Sequence, residues 1–197
     1  MLELDPRERA PSRREQIVNA AALLFAERGY HGVTIEELGT AVGISGPGIY
    51  KHFASKDAVL AEMLIGISRH LLDQGRDEVA RSFSASEALE RLVAFHTDFA
   101  MTRPELIRVQ EHDLANLSTS QAHQVRRLQR AYVELWVGVL QELTPSLSAP
   151  EARTRAHAVF GLLNSTPHSA GRNESPDAGA VLGRMARAAL EVAPLEG

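Results

Sequence analysis

The sequence predicts an all-α fold of about nine helices. Apolar residues recur at three- and four-residue spacing through most of the chain. Each stripe opens on a Ser, Thr or Pro start signal, and two of the Ser/Thr caps have a Glu three residues on. The β-branched alternation that marks strands is absent. At 197 residues, 44% hydrophobic and 23% charged, the chain is long enough and apolar enough for a real core.

Residues 1–11 read as a polar, flexible tail. Ser12 and Glu15 then form a capping box before the stripe Ile17, Ala20, Ala21, Leu24 and Phe25, which Gly29 stops. Thr34 and Glu37 form a second box before Ile35, Leu38, Ala41 and Val42, with Gly43 as the stop. Ser45 caps a short helix whose exposed end is Tyr50, Lys51 and His52. Ser55 caps a long helix, striped from Val59 to Leu72, that is expected to end near Gly75.

The second half restarts at Ser86, with Leu89, Leu92, Val93, His96 and Phe99 on one face to Thr102. Pro104 suits the first turn of a helix reaching about Leu114. A polar break precedes a long helix from Gln121 to Leu143, striped by Val125, Leu128, Tyr132, Leu135, Trp136, Val139 and Leu140. Glu151 to Asn164 and Asp177 to Val192 complete the set, separated by Pro167 and a Gly/Ser/Asn-rich loop.

The absence of cysteine rules out disulfides, thiolate metal sites and cysteine nucleophiles. The charged N-terminus is no secretory signal, no apolar run approaches the ~20 residues of a membrane span, and a cytoplasmic location is expected. Net charge is −4, which does not advertise nucleic-acid binding. The acidity is uneven, however: residues 1–56 hold seven Lys/Arg and seven Asp/Glu, so all of the excess lies beyond them. Binding to DNA would need cations gathered on one face.

Thr34 to Phe53, TIEELGTAVGISGPGIYKHF, is the most informative stretch. Two short helices joined by a tight Gly turn form a helix-turn-helix, which presents one helix to the DNA major groove. With IVNAAALLFAERGY before it and IYKHF-x-SK-x-x-L across its end, the segment 12–60 resembles the TetR family of one-component transcriptional repressors. The resemblance implies a DNA-binding domain over 12–57 and a ligand-binding and dimerisation domain over 58–197. It implies that Thr34, Tyr50, His52 and Lys56 touch phosphate, while Ser45, Gly46, Pro47 and Lys51 face the groove. Gly46 and Gly48 each weaken a helix by ~1 kcal/mol. They either let backbone approach base edges or simply leave fewer base contacts. Glu36 stands where many relatives carry a basic or small residue. It either accepts from cytosine or stabilises its own helix N-terminus. Arg13 and Arg14 either reach DNA or remain solvated, as expected for Arg7 and Arg9.

By the same resemblance, the last two helices pair two copies into a homodimer on a palindromic double-stranded operator. The middle helices would enclose a cavity for a small-molecule effector, and an acyl-CoA or other lipid-derived metabolite is one expectation. Its candidate lining is His96, Phe99, Arg103, Glu111, His112, Tyr132, Trp136, His157, Phe160, Asn164 and His168, aromatic rings with a few polar groups. Arg103 or Arg108 would meet the phosphates of an acyl thioester. The histidines leave a metal-responsive regulator open as an alternative, and a helical metal-dependent hydrolase as a more distant one. No motif for either is present, so no cofactor and no enzymatic activity are expected.

Overall fold

The structure, a computed structural model, describes residues 10–165 and 177–193, and among them it contains nine α-helices and no strand. These are α1 (Arg13–Arg28), α2 (Ile35–Ala41), α3 (Gly46–Ile49), α4 (Lys56–Ala80), α5 (Ala85–Thr102), α6 (Pro104–Asp113), α7 (Thr119–Leu143), α8 (Ala149–Leu163) and α9 (Ala178–Leu190), with a 3-10 turn at Leu114–Asn116.

Local capping explains most of the boundaries. Ser12 and Thr34 accept from the backbone N–H of Glu15 and Glu37, and each carboxylate returns the bond to the cap backbone. Ser45, Ser55, Ser84, Ser118 and Ser148 cap the helices that follow them. Three starts differ from expectation because the true cap lies earlier. α5 opens after Ser84 rather than at Ser86, α7 opens after Ser118, where Gln121 supplies the capping-box side chain, and α8 opens at Ala149 after Ser148 rather than at Glu151.

The expected stop at Gly75 is also corrected. α4 runs through it to Ala80 because Gly75 is buried against α7. A Cβ there would sit 2.7 Å from Tyr132 Cε2 and 3.1 Å from Leu135 Cδ2. Gly75 thus lets two long helices approach closely. Gly75→Ala should destabilise the protein by about 1–2 kcal/mol. Overpacking of this kind outweighs the ~1 kcal/mol gained in helix propensity. A urea midpoint that rises instead would show that Tyr132 moves aside freely.

One continuous core joins Ile17, Phe25, Leu38, Ile49 and Phe53 of the reading head, the unit built from α1 to α3 and the turn after it, to Leu89, Leu92, Trp136, Leu140 and Leu163. α4 belongs to both ends: it packs on α1 near its start and on α5 and α7 beyond. α9 lies on α5 and α8, burying Ala186 and Leu190. No helix of the described residues is long and apolar enough to cross a membrane.

Candidate nucleic-acid interface and effector cavity

α2, its turn and α3 form the predicted helix-turn-helix. The turn passes through Gly43 at φ 71°, a backbone conformation that favours glycine. Ser45 Oγ accepts from Gly48 N–H at 3.2 Å, fixing the start of α3. Thr34, Ser45, Pro47, Tyr50 and Lys51 are exposed, Tyr50 by 57%, and His52 is half-buried beside them.

Two of the predicted DNA contacts have another place. Gly46 is buried, and a Cβ on it would meet Glu36 Cγ at 3.3 Å. It lets α2 and α3 touch instead of facing a groove. Lys56 Nζ donates to Tyr30 O at 2.8 Å and Val33 O at 2.7 Å, and lies 4.2 Å from the Tyr30 ring centroid. Its ammonium ties down the chain between α1 and α2.

Arg13 and Arg14 are likewise engaged internally. Arg13 Nη1 donates to Val42 O at 2.8 Å, at the carboxyl end of α2. Arg14 bonds His52 O beyond α3, pairs with Glu62 on α4, and sits 4.0 Å over the Phe53 ring. Cations at these helix ends neutralise carbonyls that have no helical partner. Periodicity could not show this, because the partners lie about 29 to 48 residues away in sequence. Arg7 and Arg9 lie outside the described residues.

Farther along the core, α4 to α8 enclose a cavity of about 230 Å³. Of the predicted residues, His96, Phe99, Tyr132, His157, Phe160 and Asn164 line it. Trp136 stands behind this wall, its ring edge-on to Phe160 with centroids 5.0 Å apart. Tyr132 stacks on both Phe160 and His96 at 5.5 and 5.8 Å. The remaining lining comprises Ser68, Leu71, Ile107, Gln110, Gln129 and Val133. Of these only Leu71 falls on a stripe that periodicity marked, and periodicity does not show which faces meet.

His96 is 3% exposed, and burial pushes its pKa down to about 4, so the ring is neutral. Its Nε2 lies 3.1 Å from Asn164 Oδ1, an acceptor, and its Nδ1 lies 3.2 Å from the Tyr132 hydroxyl. The ring proton therefore sits on Nε2, and Tyr132 donates to Nδ1.

Other predicted lining residues fall elsewhere. Arg103 lies in a separate groove between α1, α4 and α6, bonded to Glu105 at 2.7 Å and Asn19 at 3.2 Å. Glu111 and His112 are exposed on α6, and Arg108 is exposed there too. Arg103 holds the cap position at the start of α6 and the other three sit on it, while its cavity-facing side is Ile107 and Gln110. His168 lies outside the described residues. Among the described residues no three His, Asp or Glu side chains converge as metal ligands would. His96 has both ring nitrogens engaged.

Two family profiles match, one to each end of this arrangement. "Bacterial regulatory proteins, tetR family" matches residues 17–63, and "Tetracyclin repressor-like, C-terminal domain" matches residues 82–187, more than half of the chain. The chain belongs to the TetR family. This TetR-family chain is similar to the HTH-type transcriptional repressor KstR2 of Rhodococcus jostii, with 29% identity over 130 residues. The match spans 66% of the chain and 64% of that relative, just under two thirds of its length. A TetR-family transcriptional regulator from Bordetella parapertussis aligns over 92% of this chain and 96% of its own, with TM-score 0.81 and 25% identity. The fold is shared with FadR of Bacillus subtilis, solved with stearoyl-CoA, at TM-score 0.69 and 17% identity, over 90% and 95% of the two chains.

In this TetR-family chain the cavity and the reading head meet at α6. Asp113, at the end of α6, is 5% exposed. Its Oδ1 accepts from Tyr30 N–H at 3.4 Å and from Asn116 Nδ2 at 3.2 Å. Asn116 Oδ1 in turn lies 2.9 Å from His31 Nε2. Tyr30 also donates its hydroxyl to Asp57 at the start of α4. Sequence reasoning missed this joint because a single Asp at a helix end carries no signal of a distant partner.

Proposed function

We propose that the protein is a ligand-responsive transcriptional repressor that binds a palindromic operator as a homodimer and releases it when a small molecule fills the cavity. The reading places it with DNA in the cytoplasm. One observation carries it: an exposed α2–α3 unit is built onto the same continuous core as an aromatic-walled cavity. Residues 12–57 are the reading head in this proposal, and 58–197 the effector and dimerisation part. Thr34, Tyr50 and His52 hold phosphate, and Ser45, Pro47 and Lys51 face the groove. With only Lys51 charged among these, shape and phosphate positioning carry much of the specificity.

The dimer would form through α8 and α9. Val181 and Met185, exposed by 39% and 51%, lie one turn apart on α9, and Val192, exposed by 59%, follows just beyond its end. A partner's matching helices would cover that stripe. Two-fold pairing sets the reading heads at half-sites about 34–36 Å apart.

Two helices connect cavity to DNA. α4 contributes Ser68 and Leu71 to the lining and starts beside the reading head. α6 contributes Ile107 and Gln110 and ends at Asp113, bonded to Tyr30. A ligand that shifts either helix moves the heads apart or together. Coupling of this kind amounts to about 1–3 kcal/mol.

Footprinting of the protein on its own genome, followed by titration of a recovered site, tests the proposal. Lys51→Ala should weaken binding to the recovered site by about 1–3 kcal/mol and relax its base preference at the position Lys51 faces. The unfolding transition should not move, since Lys51 is exposed and bonded to nothing among the described residues. A chain that protects no genomic site fails as a repressor.

A further inference from the structure

The residues around the cavity say what kind of molecule it takes, granted that it is the effector site proposed above. None of the twelve described residues lining it is Asp, Glu, Lys or Arg. His96, its buried imidazole, is neutral and already bonded at both nitrogens. An anion entering this space would lose its hydration and meet no Lys or Arg; His157, the other histidine of the lining, is exposed to water.

The polar groups present are of another kind. Gln110, Gln129 and Asn164 bring three carboxamides to the wall from α6, α7 and the end of α8. Gln110 and Gln129 have no side-chain hydrogen-bond partner among the described residues, and Asn164 uses only its oxygen, on His96. Uncharged donors and acceptors are therefore left facing the space. On the same helices, beside Gln129 and Asn164, stand the stacked rings of Tyr132 and Phe160, only 16° from parallel. Such a wall offers flat apolar surface.

Size narrows the class further. An apolar cavity of about 150 Å³ holds benzene. At about 230 Å³ this one has room for roughly two fused rings.

We infer that the cavity takes an uncharged, flat molecule of about two rings with a hydroxyl or carbonyl group. The ring system lies against Tyr132 and Phe160, and the oxygen bonds to the carboxamides of Gln110, Gln129 or Asn164. A thioester of coenzyme A would have to leave its phosphates outside, because Arg103 is held in another groove and Arg108 does not line this one.

Calorimetry on the full chain with 2-naphthol, 2-naphthoate and octanoyl-coenzyme A tests this. 2-Naphthol is expected to bind at least about tenfold more tightly than either anion, reflecting the uncompensated burial of charge. Gln129→Leu, with its thermal transition unchanged, should weaken 2-naphthol several-fold. Absence of 2-naphthol binding at millimolar concentration, or binding of either anion as tight as 2-naphthol, overturns the inference. Operator binding without any ligand is measured in parallel. If it is intact while 2-naphthol fails, the ligand class is wrong and the repressor reading stands. If 2-naphthol binds while no operator is held, the reverse is true.

Discussion

Acidification from pH 6.5 to pH 4 will remove about 3 kcal/mol of stability through His96 alone. Burial lowers the pKa of this ring from an ordinary 6.5 to about 4. Between those values the unfolded chain binds a proton that the native chain does not, so stability falls as pH falls. Each unit of difference corresponds to about 1.4 kcal/mol. The structural cost is visible in the bonds: a second ring proton on Nδ1 would face the Tyr132 hydroxyl proton now donated there. His70 shifts in the same direction, through burial and then Arg103, and contributes to the total. The measurement is therefore a difference. Urea unfolding of wild type and His96→Phe from pH 7.5 to 4 should show the variant losing less stability on acidification, whatever its stability at neutral pH. Parallel curves would mean that His96 is not neutral in the folded protein.

Lys56→Met is expected to cost about 2–4 kcal/mol and to impair DNA binding by loosening the reading head. The ammonium makes two hydrogen bonds to backbone carbonyls and one contact with the Tyr30 ring. Bonds from a charged donor are each worth up to about 1.5–3 kcal/mol, and the ring contact about 0.5–1. Because Lys56 is only half-buried, water replaces part of that sum in the variant. Methionine keeps the length of the stem and removes the donors. The unfolding midpoint should drop, while residual binding keeps its salt dependence. A salt slope lowered by about one, with no change in stability, would return Lys56 to the phosphate contacts implied by the family resemblance.

Those two residues also show where the sequence was sufficient. The helices were legible because capping and periodicity are local. Ser12 with Glu15, and Thr34 with Glu37, form boxes within four residues, and both boxes are present as expected. The misplaced stop of α4 involves longer reach, whereas the misplaced starts lie at neighbouring serine caps. Gly75 carries the residue type of a helix stop, yet α4 continues because Tyr132 and Leu135 of α7 occupy the space beside it. Likewise Gly46 looks like an invitation to DNA backbone and is filled by Glu36.

The cavity was half legible. Rings and polar groups at helical spacing singled out His96, Phe99, Tyr132, His157, Phe160 and Asn164, all of which line it. The same reasoning drew in Arg103, Glu111 and His112, because a sequence shows which residues share a helix but not which side of α6 faces inward. Gln110 and Gln129 carried no signal at all, since an exposed glutamine on a helix is ordinary.

The chain's local chemistry thus sets nine helices, the helix-turn-helix and its membership of the TetR family, each resting on residues within a few turns of one another. Packing between distant helices decides the rest: that Lys56, Arg13 and Arg14 act as internal bolts, that α6 ties cavity to reading head through Asp113 and Tyr30, and that no Asp, Glu, Lys or Arg of the described residues lines the cavity. The division follows from range. Caps and amphipathic stripes are satisfied within a helix, whereas the partner of a buried charge or an inward-facing amide is chosen by whichever helix the core brings against it.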